Sequence, residues 1–491
     1  MLNELPAARW NFATAAHLLN RAGFGGTPDQ IEEFARLTPA AAVDRLLDYP
    51  TEAPAETTAA WSKIEPDRAA RLRAFRQAGE EERKKLAQER NRTQREQMLG
   101  LLHWWLQRMV SGPHPLQEKL TLFWHGHFAT SVLKVKEPYL MWRQNDLFRR
   151  HGAGRWESLL TEVTRDPAML IWLDQAQSKP NHPNENYARE LMELFALGEG
   201  HYTEQDVTEA ARALTGLTLD RIKLEPIERP RLRDTGTKIV LGKTGRFSTD
   251  DVVRLVANHP QSGRFLTAKL WNFFAGSPPT PALNEALATT FAHHRRTLRP
   301  VLRALLLSEA FHAPDVVRRQ IKSPVQLLVQ ACRQLERPLP PPLVCVQIQR
   351  SLGQELFNPP NVKGWDGGAA WINTNTLLNR HNLALMLVTG ENSLPLNLGK
   401  NAKPEQQRRL ERLKRRAKSE GVAVDRILPP AAEARPEALL ATVERRLLNS
   451  PLSERSRTGL RDYLKAQGTL DEQDLRGLLR LAMCTPEYQL T

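Results

Sequence analysis

The sequence predicts an all-α fold: a large multi-helical, bundle-like protein with a minor β-hairpin or extended arm near 224–245. Three observations predict it. Apolar residues recur at helical spacing through most of the chain. A hydroxyl residue followed by proline opens several of these patterns, at Thr27-Pro28, Thr38-Pro39, Thr280-Pro281 and Ser323-Pro324. Only one stretch, Thr237-Lys-Ile-Val-Leu241 between glycines, has the β-branched character of a strand.

Length and composition set the frame. A chain of 491 residues exceeds what one core usually fills. The expected organisation is a composite helical domain over 1–390, a basic linker with a solvated helix over 391–430, and a C-terminal helical segment over 431–491 packing on the main domain. Apolar residues make up 41% and charged residues 25%, which suits a folded globular protein. The formal net charge of +14 brings acidic partners into view: nucleic acid, anionic lipid or an anionic glycan. Much of that surplus sits in 403–418, where eight basic residues face two acidic ones, so the rest of the chain is only mildly basic. Nucleic acid is therefore not the expected partner, whereas an anionic ligand is retained. Cys332, Cys345 and Cys484 are odd in number and lack metal-ligand spacing, so neither a disulfide framework nor a zinc ribbon is expected. The start of the chain shows no secretory leader and no apolar run nears 18 residues, so a soluble protein without a membrane span is expected, cytoplasmic as the sequence reads.

Each element follows from local chemistry. Thr or Ser at the N-cap with Pro at the first helical position starts a helix, because Pro lacks the donor that would be orphaned there. This predicts helices near 12–22, 28–37 and 39–48, with the glycine-rich turn Arg21-Ala-Gly-Phe-Gly-Gly26 between the first two. That turn lacks the Lys-Ser/Thr of a phosphate loop. From 66 to 95 mixed charges predict a solvated helix, and from Met98 an apolar face carries Trp105 inward. A break at Pro113 to Pro115 precedes Trp124-His125-Gly126-His127-Phe128. On a helix residues 125 and 127 lie about 200° apart, so they share a metal only if the helix ends near Gly126. Further helices are expected through 138–177, 249–308, 324–352, up to about Val388, and from 436 to 484.

The densest polar constellation lies in 184–218, where two helices join through a Gly/His/Tyr turn. Tyr187, Leu191, Leu194 and Phe195 form the apolar stripe of the first helix, leaving Glu185, Arg189 and Glu193 on the far side as ordinary ion pairs. Glu190 falls at the stripe's edge, where burial would raise its pKa and suit it to acid or base work. The second helix starts at Thr203 with Asp206 three residues on, a capping-box pattern. Farther along, Asn358-Pro-Pro-Asn-Val-Lys-Gly-Trp-Asp-Gly-Gly368 is a loop crowded with turn formers. It offers Trp365 and Asp366 to a ligand and leads through Trp371 to Asn373 or Thr374, either a good helix cap.

The segments His17 to Gly25, Lys119 to Phe128, Asn184 to Gly198, Leu214-Thr-Gly216, Lys269-Leu-Trp271 with Phe273-Phe274, and Pro359 to Asn375 together resemble a large bacterial family known as domain of unknown function 1800. The resemblance spans most of the chain except about 390–430. A His-Asp pair associated with the family reads Arg233-Asp234 here. The resemblance implies a mainly helical protein without an established activity. It also implies relatives that are often exported and encoded beside a sulfatase-like or phosphatase-like companion, which is the partner it suggests.

The resulting expectation is one polar cleft shared by the histidine segment and the acidic helix. Glu190, Arg189 and Glu193 are the candidate catalytic residues. His125, His127 and Glu190 are candidate ligands for a divalent metal ion, and Asn186, Arg21, Trp365, Asp366 and Asn373 are candidate binding residues. Metal-assisted or acid/base hydrolysis is the leading function. The alternatives are a non-enzymatic scaffold working with the sulfatase-like companion, and glycan processing or binding with Trp365 and Trp371 as stacking surfaces.

Overall fold

A computed structural model describes residues 2–51, 57–391, 421–430 and 435–491. The basic segment 403–418 lies outside the described residues. Among those described, 22 α-helices and two small hairpins make an all-α protein with minor β structure.

The hydroxyl-proline starts form as their chemistry demands. Helices α1 (Phe12–Ala22), α2 (Pro28–Ala35) and α3 (Pro39–Leu47) open the chain. Thr27 accepts the Gln30 N–H while Gln30 returns a bond to the Thr27 N–H, and Thr38 accepts the Ala41 N–H. The charged helix α4 (Arg68–Gln77) precedes α5 (Glu80–Ser111), 32 residues long. The first half of α5 is exposed, and burial begins at Leu101 and includes Trp105. Then come α6 (Pro115–His127), α7 (Val132–Val135), α8 (Pro138–His151), α9 (Trp156–Arg165) and α10 (Pro167–Trp172).

The acidic helix α11 (Glu185–Glu190) runs directly into a π-helical turn, Leu191–Ala196, before α12 (Glu204–Ala213). The capping box forms as expected, with Thr203 Oγ1 accepting the Asp206 N–H. Where one hairpin or extended arm was expected near 224–245 there are two antiparallel hairpins. Strand β1 (Leu217–Asp220) pairs with β2 (Glu225–Glu228), Leu217 opposite Glu228, and β3 (Lys238–Val240) pairs with β4 (Lys243–Gly245). The β-structure therefore starts earlier than its composition suggested, on a four-residue strand of alternating burial.

Helices α13 (Thr249–Asn258), α14 (Pro260–Ala275), α15 (Pro281–His293), α16 (Leu298–Leu307), α17 (Pro324–Gln334), α18 (Pro342–Leu352) and α19 (Thr374–Thr389) follow. The chain closes with α20 (Pro436–Val443), α21 (Glu454–Gln467) and α22 (Glu472–Cys484). Two apolar clusters form the interior. One gathers α1 to α3, α9, the π turn and α12 to α16. The other gathers the end of α5, α17 to α19 and the C-terminal helices. Helix α6 feeds both, Leu120 and Phe123 into the first and Leu122 into the second. No helix among the described residues is long and apolar enough to cross a membrane.

Candidate functional site

A cavity of about 660 Å³ opens where α6 and α14 meet the loop that precedes α19. Helical spacing explains its walls. Lys119, Phe123 and His127 recur every fourth residue and share one face of α6, Lys269 and Phe273 do the same along α14, and Gly276 follows as its C-cap. Trp365, Asp366 and Trp371 come from the loop.

Glycine holds that loop in place. Gly364 has φ +82, and a Cβ there would lie 2.4 Å from the Gly126 carbonyl oxygen, so only glycine lets the two backbones approach this closely. The approach lays Trp365 against His125, with ring centroids 5.7 Å apart.

The two histidines have separate duties. Helix α6 runs through Gly126 to His127, so the imidazoles diverge. His125 is enclosed by Trp105 and Phe357 and its Nε2 accepts the Phe357 N–H at 2.9 Å. Its proton is therefore on Nδ1. Burial alone pushes its pKa down to about 3. His127 donates from Nε2 to the Phe195 carbonyl at 3.0 Å and turns Nδ1 toward Lys269 Nζ. Burial, then the Lys269 charge, drives its pKa well below the usual imidazole range, against the opposing Phe195 carbonyl. With these nitrogens engaged, His125, His127 and Glu190 do not form one ligand set. Among the described residues no three His, Cys, Asp or Glu side chains converge as a metal's ligands would.

The acidic helix lies elsewhere. Glu190, Arg189 and Glu193 are not on the cavity wall. Arg189 pairs with Glu204 through two 2.7 Å bonds, and Tyr202 donates to Glu193 at 2.8 Å. Glu190 is half-buried, and burial followed by the Glu193 charge raises its pKa against Arg189 and Lys363. Lys363 belongs to the same loop as Trp365, so Glu190 lies within the field of that loop although it does not line the cavity. Asn186 is exposed and bonds the Asn184 side chain and the Leu173 carbonyl. Asn373 caps α19 by accepting the Thr376 N–H at 2.9 Å. Arg21 is fully buried beside Gly276.

The sequence reading passed over two lysines. Lys119 is buried, donates to Gln326 Oε1, and has Nζ 5.0 Å from the Phe24 ring centroid. Lys269 is half-buried and donates to the Leu194 carbonyl at 3.0 Å. The Leu194 and Phe195 oxygens are among the last of their helix, which lack partners within it, so Lys269 and His127 satisfy them. Among the described residues neither lysine has a carboxylate within ion-pair distance. Burial and the Arg21 charge lower Lys119 to about 7, and burial alone lowers Lys269 to about 8. The available signal was a lysine on an otherwise apolar helix face, in Lys119-Leu-Thr-Leu-Phe and Ala268-Lys-Leu-Trp271.

A second hollow of about 640 Å³ lies between the α1–α2 turn and the end of α5. Its charges are already satisfied: Arg45 pairs with Glu33, and Arg333 donates to the Gly25 and Val110 carbonyls. Of these two hollows, the α6–α14 cavity is the one whose polar groups have capacity left for a ligand.

The model of a family described as "Protein of unknown function (DUF1800)" matches residues 17–490. The family match extends further than the motifs that suggested it, across 390–430 as well. No curated protein and no solved structure matches the chain.

Proposed function

The chain belongs to this DUF1800 family, and for it we propose an enzyme that performs acid/base chemistry on a small molecule held in the α6–α14 cavity. One observation carries the reading: lysines without carboxylate partners line a cavity that also holds aromatic walls. An amine whose pKa lies near the working pH is an effective general base, because it is free to accept a proton and not too weak to hold it. Lys269, at about 8 and half-buried, meets both conditions. Its amine would take a proton from a water or from the ligand, and the resulting ammonium would return it to the leaving group. His127 acts as a positioning residue, since its Nδ1 lone pair and the Leu194 carbonyl fix the amine from two sides. Hydrolysis is the reaction class expected.

The test is a competitive amine-labelling experiment with dinitrofluorobenzene, followed by peptide mapping across pH, alongside hydrolysis of a panel of nitrophenyl esters. Lys269 should label with a midpoint near 8, and hydrolysis should share that ascending limb and lose it in Lys269→Met. A labelling midpoint near that of free lysine, about 10.4, overturns the reading.

A second reading, saccharide binding, is favoured by Trp365 and Trp371 both lining the cavity. Quenching of tryptophan fluorescence by oligosaccharides, absent in Trp365→Ala, would support it. For Arg189, Glu193 and Glu190 the scaffold reading has the better support, because the Arg189–Glu204 and Tyr202–Glu193 bonds tie α11 and the π turn to α12 and the turn before it.

A further inference from the structure

We infer that the inner end of the cavity is an anion subsite, where Lys119 and Arg21 receive a carboxylate or phosphate group carried by the ligand. This names the ligand class of the proposed site and rests on that cavity being the working site, but not on Lys269 acting as a base.

The argument begins with Arg21. Its side chain is 1% exposed, yet only part of its fork is used. Nε donates to the Phe274 carbonyl at 2.6 Å and Nη1 to the Thr491 main-chain oxygen at 2.7 Å, while Nη2 is buried with no partner. A buried donor left unpaired costs free energy, more so on a charged group. Gly276 lines the cavity at φ +78, and a Cβ there would stand 3.0 Å from Nη2. Nη2 therefore lies just behind the cavity wall, with no side chain at 276 to fill the gap.

Lys119 supplies the second charge. It is 5% exposed and lines the same cavity. Its neighbours are the Gln326 amide oxygen and the rings of Phe24 and Phe273, none of which carries a charge. Arg21 and Lys119 also lie within each other's field, which lowers the lysine further. Among the described residues neither cation has an Asp or Glu side chain as partner, and burial leaves each desolvated and repelled by the other. An oxyanion reaching this point relieves both costs at once. A guanidinium edge and an ammonium are the donors that carboxylate and phosphate oxygens bind best. Lys269 and Arg319 on the same wall add attraction, and Asp366, exposed, is the one carboxylate among the lining residues.

The experiment titrates the full chain at pH 7 with inorganic phosphate and, separately, with acetate, at constant ionic strength, by calorimetry. Saturable binding of phosphate, or of acetate, is expected, and whichever binds identifies the ligand's anionic group. Lys119→Met should weaken it at least about tenfold, the equivalent of about 1.4 kcal/mol. On the wild-type chain, the bound anion should also protect Lys119 from dinitrofluorobenzene, a readout that needs no variant. Binding of neither anion, or equal affinity in Lys119→Met with no protection of Lys119, overturns the subsite. Failure of Lys269 to label near pH 8 with anion binding intact would overturn the general-base reading alone.

Discussion

His127 Nδ1 faces Lys269 Nζ at 3.5 Å while the opposite ring nitrogen is held by the Phe195 carbonyl. The carbonyl can only accept, so the imidazole proton sits on Nε2 and the lone pair on Nδ1 is presented to the amine. A histidine on α6 thereby couples the end of the π turn to a lysine on α14, and the histidine and the lysine both line the cavity.

His127 should stay neutral, in the Nε2–H tautomer, at a pH where a free imidazole of pKa about 6.5 is half protonated. Nitrogen-detected NMR of the histidine rings checks this. A His127 signal that titrates with the exposed histidines would contradict the arrangement.

Lys119 should make stability rise with pH. Its folded-state value is lowered to about 7, whereas the unfolded chain keeps a lysine near about 10.4. Between these values the unfolded state binds the proton and the native state does not, so stability climbs by up to about 1.4 kcal/mol per pH unit. Below the folded value both states carry the proton, so the penalty of burying the charge in the native state is constant with pH. Urea unfolding of wild type and Lys119→Met from pH 7 to 9.5 should give a gap, with the variant more stable at the low end, that narrows as pH rises. Parallel curves would show that Lys119 does not titrate abnormally.

Glu118, next along α6, should be among the costliest residues to remove. It is 1% exposed and accepts from Arg149 at 2.9 and 2.9 Å, from Arg108 at 2.6 Å and from Trp105 Nε1 at 3.0 Å. Burial raises its pKa, but the two arginines outweigh that and hold it below the ordinary value. Glu118→Ala should destabilise by about 3–5 kcal/mol, because two guanidinium groups lose a buried partner. The contribution of the native carboxylate should be lost on acidification, as pH falls through its depressed value. Denaturant titrations at neutral and acid pH measure both effects.

Gly364→Ala should dislodge the loop. The αL backbone alone costs a non-glycine residue about 1 kcal/mol or more, and the added methyl group meets the Gly126 carbonyl. Loss of stability together with changed tryptophan emission, from Trp365 leaving His125, is the expected result. Unchanged emission would mean that the loop is held by other contacts.

Much of the fold was legible because it is local. Thr27, Thr38, Thr280 and Ser323 each start a helix through bonds made within three residues, so the sequence carries the whole instruction. The capping boxes at Thr203 and Asn373 are equally local. The site was legible only in part. Trp365, Asp366 and His127 line the cavity, but the acidic helix, the densest polar cluster in the sequence, presents its charges to Glu204 and Tyr202. Charge density marked a solvated face there, as it usually does. Lys119 and Lys269 look unremarkable in sequence, since a lysine's burial depends on which helix comes to lie over it. Strand β1 escaped notice for a similar reason, as four residues give too short a pattern to separate from a helix end.

The turn at Leu191–Ala196 accommodates one residue more than an ordinary α-turn would. Excising a single residue there would restore a regular ladder and swing the following peptide groups back by about 100°. The oxygens of Leu194 and Phe195 would then aim away from α14 and α6, releasing both the amine and the imidazole they hold. A one-codon deletion, altering no side chain on the cavity wall, would thus be enough to unmoor its chemistry.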